Sequence, residues 1–174
     1  MGMSVTIGRA TGQDAEQILK LQYLCYQSEA ELYGDYRIEP LTQTLDALRT
    51  ELAASCVLVA RLGDEIVGSV RGTVDEDGTG RIGTLVVHPR MQRHGLGKRL
   101  MRAIEARLAE DGAATRYRLS AGHRSDATLR LYRTLGYAPV ATEEVSRRLR
   151  MITLEKHAGE TGEPALRQPM TAGA

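Results

Sequence analysis

The run Leu85-Val86-Val87-His88-Pro89-Arg90-Met91-Gln92-Arg93-His94-Gly95-Leu96-Gly97-Lys98-Arg99 holds the residue types best suited to chemistry in this chain. An apolar strand passes through a short turn into a helix whose first turn contains two glycines and several bases. The leading N–H groups of a helix have no partner inside it, and the helix dipole adds partial positive charge there. A phosphate fits such a place. Glycines let its oxygens approach the backbone, and Arg93, Lys98 and Arg99 add charge around it. Two known phosphate patterns are excluded. The dinucleotide fingerprint needs a third glycine where Leu100 stands, and the nucleoside triphosphate loop needs Ser or Thr where Arg99 follows Gly97-Lys98. Spacing alone also leaves open a flexible turn before an ordinary basic surface helix, the lesser of the two readings.

These residues need elements to position them. Apolar periodicity switches between two and 3.6 along the chain, which predicts an α/β (α+β) domain. Val5–Arg9 alternates as a first strand, and a helix from about Gln13 sets Ile18, Leu21, Leu24 and Cys25 on one face. Turn formers over Tyr33–Pro40 break it, and Thr42 is placed to cap a second helix through Ala53. Cys56–Ala60 and Glu65–Val70 flank Leu62-Gly63-Asp64 as a hairpin. A polar turn over Asp75–Gly80 leads into Ile82–Val87, apolar enough for a central strand, which His88-Pro89 ends.

Leu96, Leu100, Ile104 and Leu108, widened by Met101, form the stripe of an amphipathic helix that closes near Asp111-Gly112, with Lys98, Arg102 and Glu105 facing away. Tyr117–Ala121 reads as a strand. Ser125 or Asp126 caps a helix through Leu135, followed by Gly136. Val140–Thr142 and Arg148–Leu154 make the last strands around a Glu143-Glu144 turn. From Ala158 onward Gly, Pro, Glu, Thr and Ala dominate without period, so a domain over residues 1–157 and a disordered tail over 158–174 are expected.

Bulk properties narrow the function. A net charge of +1 over 174 residues gives no global attraction to nucleic acid or membrane. With no Phe or Trp, base stacking on an aromatic platform is disfavoured, and the local basic strip from Arg90 to Arg102 is thin ground for nucleic-acid binding. Cys25 and Cys56 lack metal-ligand spacing and read as buried free thiols; no metal site is expected. The start Met1-Gly2-Met3-Ser4-Val5 lacks signal-peptide features and no apolar run reaches membrane-spanning length, so a cytoplasmic protein is the expectation.

Gln92-x-x-Gly95-x-Gly97, directly after the strand ending in Val87-His88-Pro89, resembles motif A of the GNAT superfamily of acyl-CoA-dependent N-acyltransferases. Ser125-Asp126-Ala127-Thr128-Leu129-Arg130-Leu131-Tyr132-Arg133-Thr134-Leu135-Gly136-Tyr137 resembles the family's later helix, in which Ser125 stands where asparagine is usual. The order of elements also matches from Val5 to about Leu154. The resemblance implies a GNAT-like single domain with a mixed, mostly antiparallel sheet of about six to seven strands and about four helices. It implies acetyl-CoA as acyl donor and a primary amine of a small molecule or protein as acceptor. Homodimers are common in such proteins.

By position, the resemblance gives the backbone of Leu85, Val86 and Val87 to the pantetheine arm and an N–H near Val87 to the thioester oxygen. The N–H groups of Arg93, His94, Gly95, Leu96, Gly97 and Lys98 would hold the pyrophosphate, with Gln92 also counted among the cofactor-binding residues. Ser125, Thr128 and Tyr132 share a helix face that would line the arm, and Tyr132 would protonate the leaving thiolate. The base that deprotonates the amine stays open, because positions 81 to 88 contain no carboxylate. Glu31, Asp35, Tyr36, Glu39, His88, His94, His123 and a water chain are the candidates. The segment Glu29–Tyr36 carries carboxylates and phenols suited to a cationic acceptor. A catalytically weak acyl-CoA-binding module is the competing reading.

Overall fold

The alternation at Val5–Arg9 makes β1, an edge strand antiparallel to β2 (Cys56–Leu62). The computed structural model describes residues 4–159; the expected tail beyond Gly159 lies outside the described residues. A 3-10 turn at Gly12–Asp14 leads into α1 (Ala15–Tyr33), which stops where Gly34 takes a left-handed φ of 65°. Pro40 sits in the first turn of a short helix, α2 (Glu39–Thr42), a position where its missing N–H costs nothing. Thr42 therefore ends a helix and caps none. Thr44 is the cap of α3 (Leu45–Ala54), its hydroxyl accepting from the Ala47 N–H at 3.1 Å.

The hairpin of β2 with β3 (Glu65–Val74) forms as expected, followed by β4 (Thr79–Val87). Helix α4 (Leu96–Gly112) precedes β5 (Arg116–Gly122), and α5 (Asp126–Thr134) precedes β6 (Ala138–Glu144) and β7 (Arg150–His157). The last two strands reverse around Val145–Leu149, beyond the Glu143-Glu144 step, because both glutamates still pair with β7. One sheet results, in the order β1-β2-β3-β4-β5-β7-β6, antiparallel at every step except β4 with β5. Among the described residues, seven strands and five α-helices meet the mixed, mostly antiparallel α+β expectation, with α2 as the extra helix.

Helices cover both faces of the central strands, so those strands are apolar on both sides. Leu100, Met101, Ile104 and Leu108 of α4 pack with Leu58, Val70, Ile82, Leu119 and Leu154, while Ile18, Leu21 and Leu48 of α1 and α3 pack with Val57, Val59, Ile66 and Val86. Each such side chain, fully buried, stabilises by about 1.5–3 kcal/mol. Leu24 departs from the expected face and is 48% exposed, and the two free cysteines are only partly buried.

Glu105 also departs from expectation, since it points inward on the α4 stripe. Lys156 of β7 lies on it at 2.8 and 3.1 Å, and the Tyr137 hydroxyl donates to it at 2.8 Å. Tyr117 donates to the Glu105 backbone carbonyl at 2.9 Å, tying β5 to the same turn of α4. A buried charge is tolerable when paired and fully hydrogen-bonded in this way. No described helix is long and apolar enough to cross a membrane.

Candidate active site

β4 and β5 pair only over Thr79–Arg81 against Arg116–Arg118. Past that point β4 continues to Val87 with β3 alone as partner, and β5 continues to Gly122 with β7 alone. The two edges that face each other then carry backbone groups with no strand between them. An extended molecule could enter this fork and pair as a strand would.

A bulge opens the fork. Between the rungs Ser69–Val86 and Arg71–Gly83, β4 takes one residue more than β3, and Thr84 there has a φ of 50°. That left-handed backbone is rare for a β-branched residue, and a bulge bends the strand that bears it. The extra residue reverses the alternation: Ile82 packs under α4, whereas Val86 packs beneath α1. Leu85 and Val87 pack partly buried on the α4 side.

The loop from β4 to α4 has its own strain. A 3-10 turn at Pro89–Met91 starts from His88, whose Nδ1 accepts from the Arg90 N–H at 3.3 Å. Gln92 donates from Nε2 to the Val87 carbonyl at 3.3 Å, folding the loop back on the strand. Arg93 and Gly95 then adopt φ values of 69° and 75°. Gly95 is the N-cap of α4, and no side chain caps that end. A Cβ on Gly95 would meet nothing within 4 Å, so the helix start is open to an incoming anion. Gly97 has a different role, because a Cβ there would stand 3.3 Å from the Leu131 side chain on α5, a tight contact to which that side chain must yield by a few tenths of an ångström. Arg93 and His94 are exposed, Lys98 is half-buried, and Leu96 anchors the loop in the core. An extended free edge, unpaired N–H groups and nearby cations fit a pyrophosphate with a long amide-bearing arm.

Tyr132 lies on α5 and is 6% exposed, its ring tilted against Tyr137 at 6.0 Å. Its hydroxyl makes no hydrogen bond among the described residues. Burial first, then the charges of Tyr26 and Glu29, pushes its ionisation well above the usual tyrosine range. Thr128 is half-buried one turn earlier on the same helix.

Ser125 is buried at the α5 N-cap, yet its hydroxyl serves α1. It donates to Glu29 Oε1 at 2.7 Å and shares a 2.8 Å bond with the Tyr33 hydroxyl, which also accepts from the Arg124 N–H at 3.0 Å. Tyr33 lies so close over Gly122 that a Cβ there would collide with its phenol. Cys25, also on α1, donates from Sγ to the Val87 carbonyl at 3.4 Å, and burial pushes its thiol up to about 11, so it is no ready nucleophile.

Of the candidate bases, Glu31 near the end of α1, Glu39 at the start of α2, and Tyr36 and His94 on loops are all exposed, Asp35 pairs with Arg37, and His123 accepts from the Arg150 N–H at 3.0 Å. The carboxylate whose charge acts on Tyr132 is Glu29, held at the start of α5 by Ser125 and absent from that set. Its signal was its place three residues after Tyr26 on the face of α1 that meets α5.

The sequence profile of the acetyltransferase (GNAT) family matches residues 15–137. The chain belongs to the GNAT acetyltransferase family. Among solved structures it is similar to a GNAT-family acetyltransferase from Streptococcus pneumoniae, at 19% identity, 88% of this chain, 99% of that one and a TM-score of 0.74. It is similar to Salmonella typhimurium YncA, solved with its cofactor acetyl-CoA, at 18% identity, 94% and 99% coverage and a TM-score of 0.73. A third is the PaiA N-acetyltransferase of Thermoplasma acidophilum in complex with coenzyme A, at 16% identity, 89% and 99% coverage and a TM-score of 0.74. At these identities the likeness establishes the fold. No curated protein sequence matches the chain significantly.

Proposed function

We propose that this chain transfers an acetyl group from acetyl-CoA to a primary amine. The fork carries the reading: β4 and β5 part after Arg81 and Arg118, in a chain that also supplies an uncapped helix start after β4 and the phenol of Tyr132 on the helix after β5. The backbone N–H groups of residues 93–98, with the charges of Arg93 and Lys98, would hold the pyrophosphate. The free edge at Leu85–Val87 would pair with the pantetheine arm, and Thr128 and Tyr132 would flank it. Gln92 and Ser125 act as positioning residues, since their polar groups are engaged with Val87 and Glu29. Relatives of this fold bound to acetyl-CoA or coenzyme A support that donor.

Acetyl-CoA supplies an activated thioester when bound. A backbone N–H near Val87 would meet the charge that grows on the thioester oxygen. Tyr132, held as a neutral phenol, donates its proton toward the leaving sulfur. Glu29 draws the cationic amine toward the fork; the amine sheds a proton to solvent, its nitrogen bonds the acetyl carbon, and the carbon–sulfur bond breaks to release coenzyme A. The test is release of free thiol from acetyl-CoA across a panel of primary amines. Turnover should depend on the amine, and Tyr132→Phe should lower kcat by about 10²–10⁴-fold with acetyl-CoA affinity kept. Turnover with alcohols alone would refute the amine, and an unchanged kcat in Tyr132→Phe would refute the acid.

A further inference from the structure

Arg81 of β4 and Arg118 of β5 are register partners on the rung where the fork begins. Paired residues point to the same sheet face, so two guanidinium groups stand side by side there. This is the face away from α4, where Arg81, Gly83, Arg118, Ser120, Thr153 and Glu155 line a cavity of about 720 Å³. Like charges placed opposite each other on neighbouring strands destabilise a sheet. Flanking carboxylates offset this cost: Asp75 accepts from Arg81 Nε at 2.5 Å, and Glu155 accepts from Arg118 Nε at 2.7 Å and from its Nη2.

Both carboxylates engage the Nε side of their arginines. Among the described residues, neither Nη of Arg81 nor Nη1 of Arg118 makes a hydrogen bond, and the two side chains remain 53% and 33% exposed. A Cβ on Gly83, the next β4 residue on this face, would meet nothing within 4 Å. The Ser120 and Thr153 hydroxyls lie beside it, 3.3 Å apart. The cavity thus offers room, spare guanidinium donors and two hydroxyls next to the fork.

We propose that this cavity binds the acceptor through an anionic group, so that the acceptor is an amine that also carries a carboxylate, anchored by Arg118 with Arg81. Guanidinium and carboxylate match in geometry and charge, and a charge-assisted bond is the strong kind. The ammonium end of such a zwitterion is drawn the other way, toward Glu29 and the fork. The inference rests on the acetyl-transfer reading for the fate of the amine, but the anion anchor is measurable without turnover.

The test titrates the full chain, saturated with coenzyme A, with free amino acids, β-alanine and γ-aminobutyrate, and with their carboxamides and aminophosphonate analogues. At least one carboxylate should bind about tenfold or more tightly than its amide. Arg118→Gln, and separately Arg81→Gln, should erase most of that difference and leave coenzyme A affinity where it was. Equal binding of acid and amide, no binding by any carboxylate, or a preference that survives in both variants overturns the proposal. Tighter binding of the phosphonates would assign a phosphate-bearing amine and overturn the carboxylate. Carboxylate-selective binding with no thiol release from acetyl-CoA would uphold the anchor and refute acetyl transfer instead.

Discussion

Arg81 and Arg118 face each other across the last rung that joins β4 to β5, and past that rung the strands share no pairing. The position of this rung decides what the molecule can bind. Had pairing continued to Val87, the backbone of Leu85–Val87 would be spent on β5 and no gap would exist. The bulge at Thr84 diverts β4, and β7 retains β5 along its full length to Gly122.

The helix start beyond the fork depends on Gly95. Its φ of 75° suits glycine and costs other residues about 1–2 kcal/mol. Gly95→Ala should lower the unfolding free energy by roughly that amount and weaken acetyl-CoA binding about tenfold, because the N–H groups beyond it turn away. Melting curves and calorimetry measure the two effects separately. Unchanged affinity would remove the loop from the donor site.

The Glu105–Lys156 pair ties α4 to β7 behind the site. Lys156→Met leaves the buried Glu105 carboxylate beside Tyr137 without its ammonium partner, a loss of about 3–5 kcal/mol. Adding Glu105→Leu to that variant should restore part of the loss. Urea denaturation of the two single variants and the double variant gives the coupling; additive losses would mean that the pair is not coupled.

Alkaline pH offers a check on the buried phenols. Burial raises Tyr132 and Tyr137 above the usual tyrosine value, with Glu105 adding to Tyr137. A folded-state value raised above the unfolded one keeps its stability contribution below about pH 10, the unfolded value, and loses it as pH rises further. Unfolding free energy should hold to about pH 10 and then decline, more weakly in Tyr137→Phe. The turnover profile should likewise show no descending limb below about pH 10 from Tyr132. A limb near pH 8 that vanishes in Tyr132→Phe would mean that the phenol ionises readily.

Much of this was legible in the sequence. The Leu96–Leu108 stripe, the strand ending at His88-Pro89 and the Gly95-x-Gly97 loop are local patterns, and local patterns survive into the fold. Thr84 shows the limit, because nothing about a threonine in an apolar run reveals a left-handed φ or the switch of side-chain direction that follows. The charge of Glu105 suggests the solvent side of α4, whereas the partner that draws it inward, Lys156, lies 51 residues further on. Arg81 and Arg118 each look like a solvated strand arginine until the parallel rung sets them side by side. Glu29 likewise gains meaning only when α1 meets α5.

Calorimetric titration of the full chain with acetyl-CoA tests the central claim most directly. The fork and helix start predict saturable binding of one acetyl-CoA per chain, with a Kd in the range of about 1 μM to 1 mM, displaced by coenzyme A and weakened in Gly95→Ala. A folded protein that gives no binding heat with acetyl-CoA at several millimolar, and no shift in melting temperature, would contradict it.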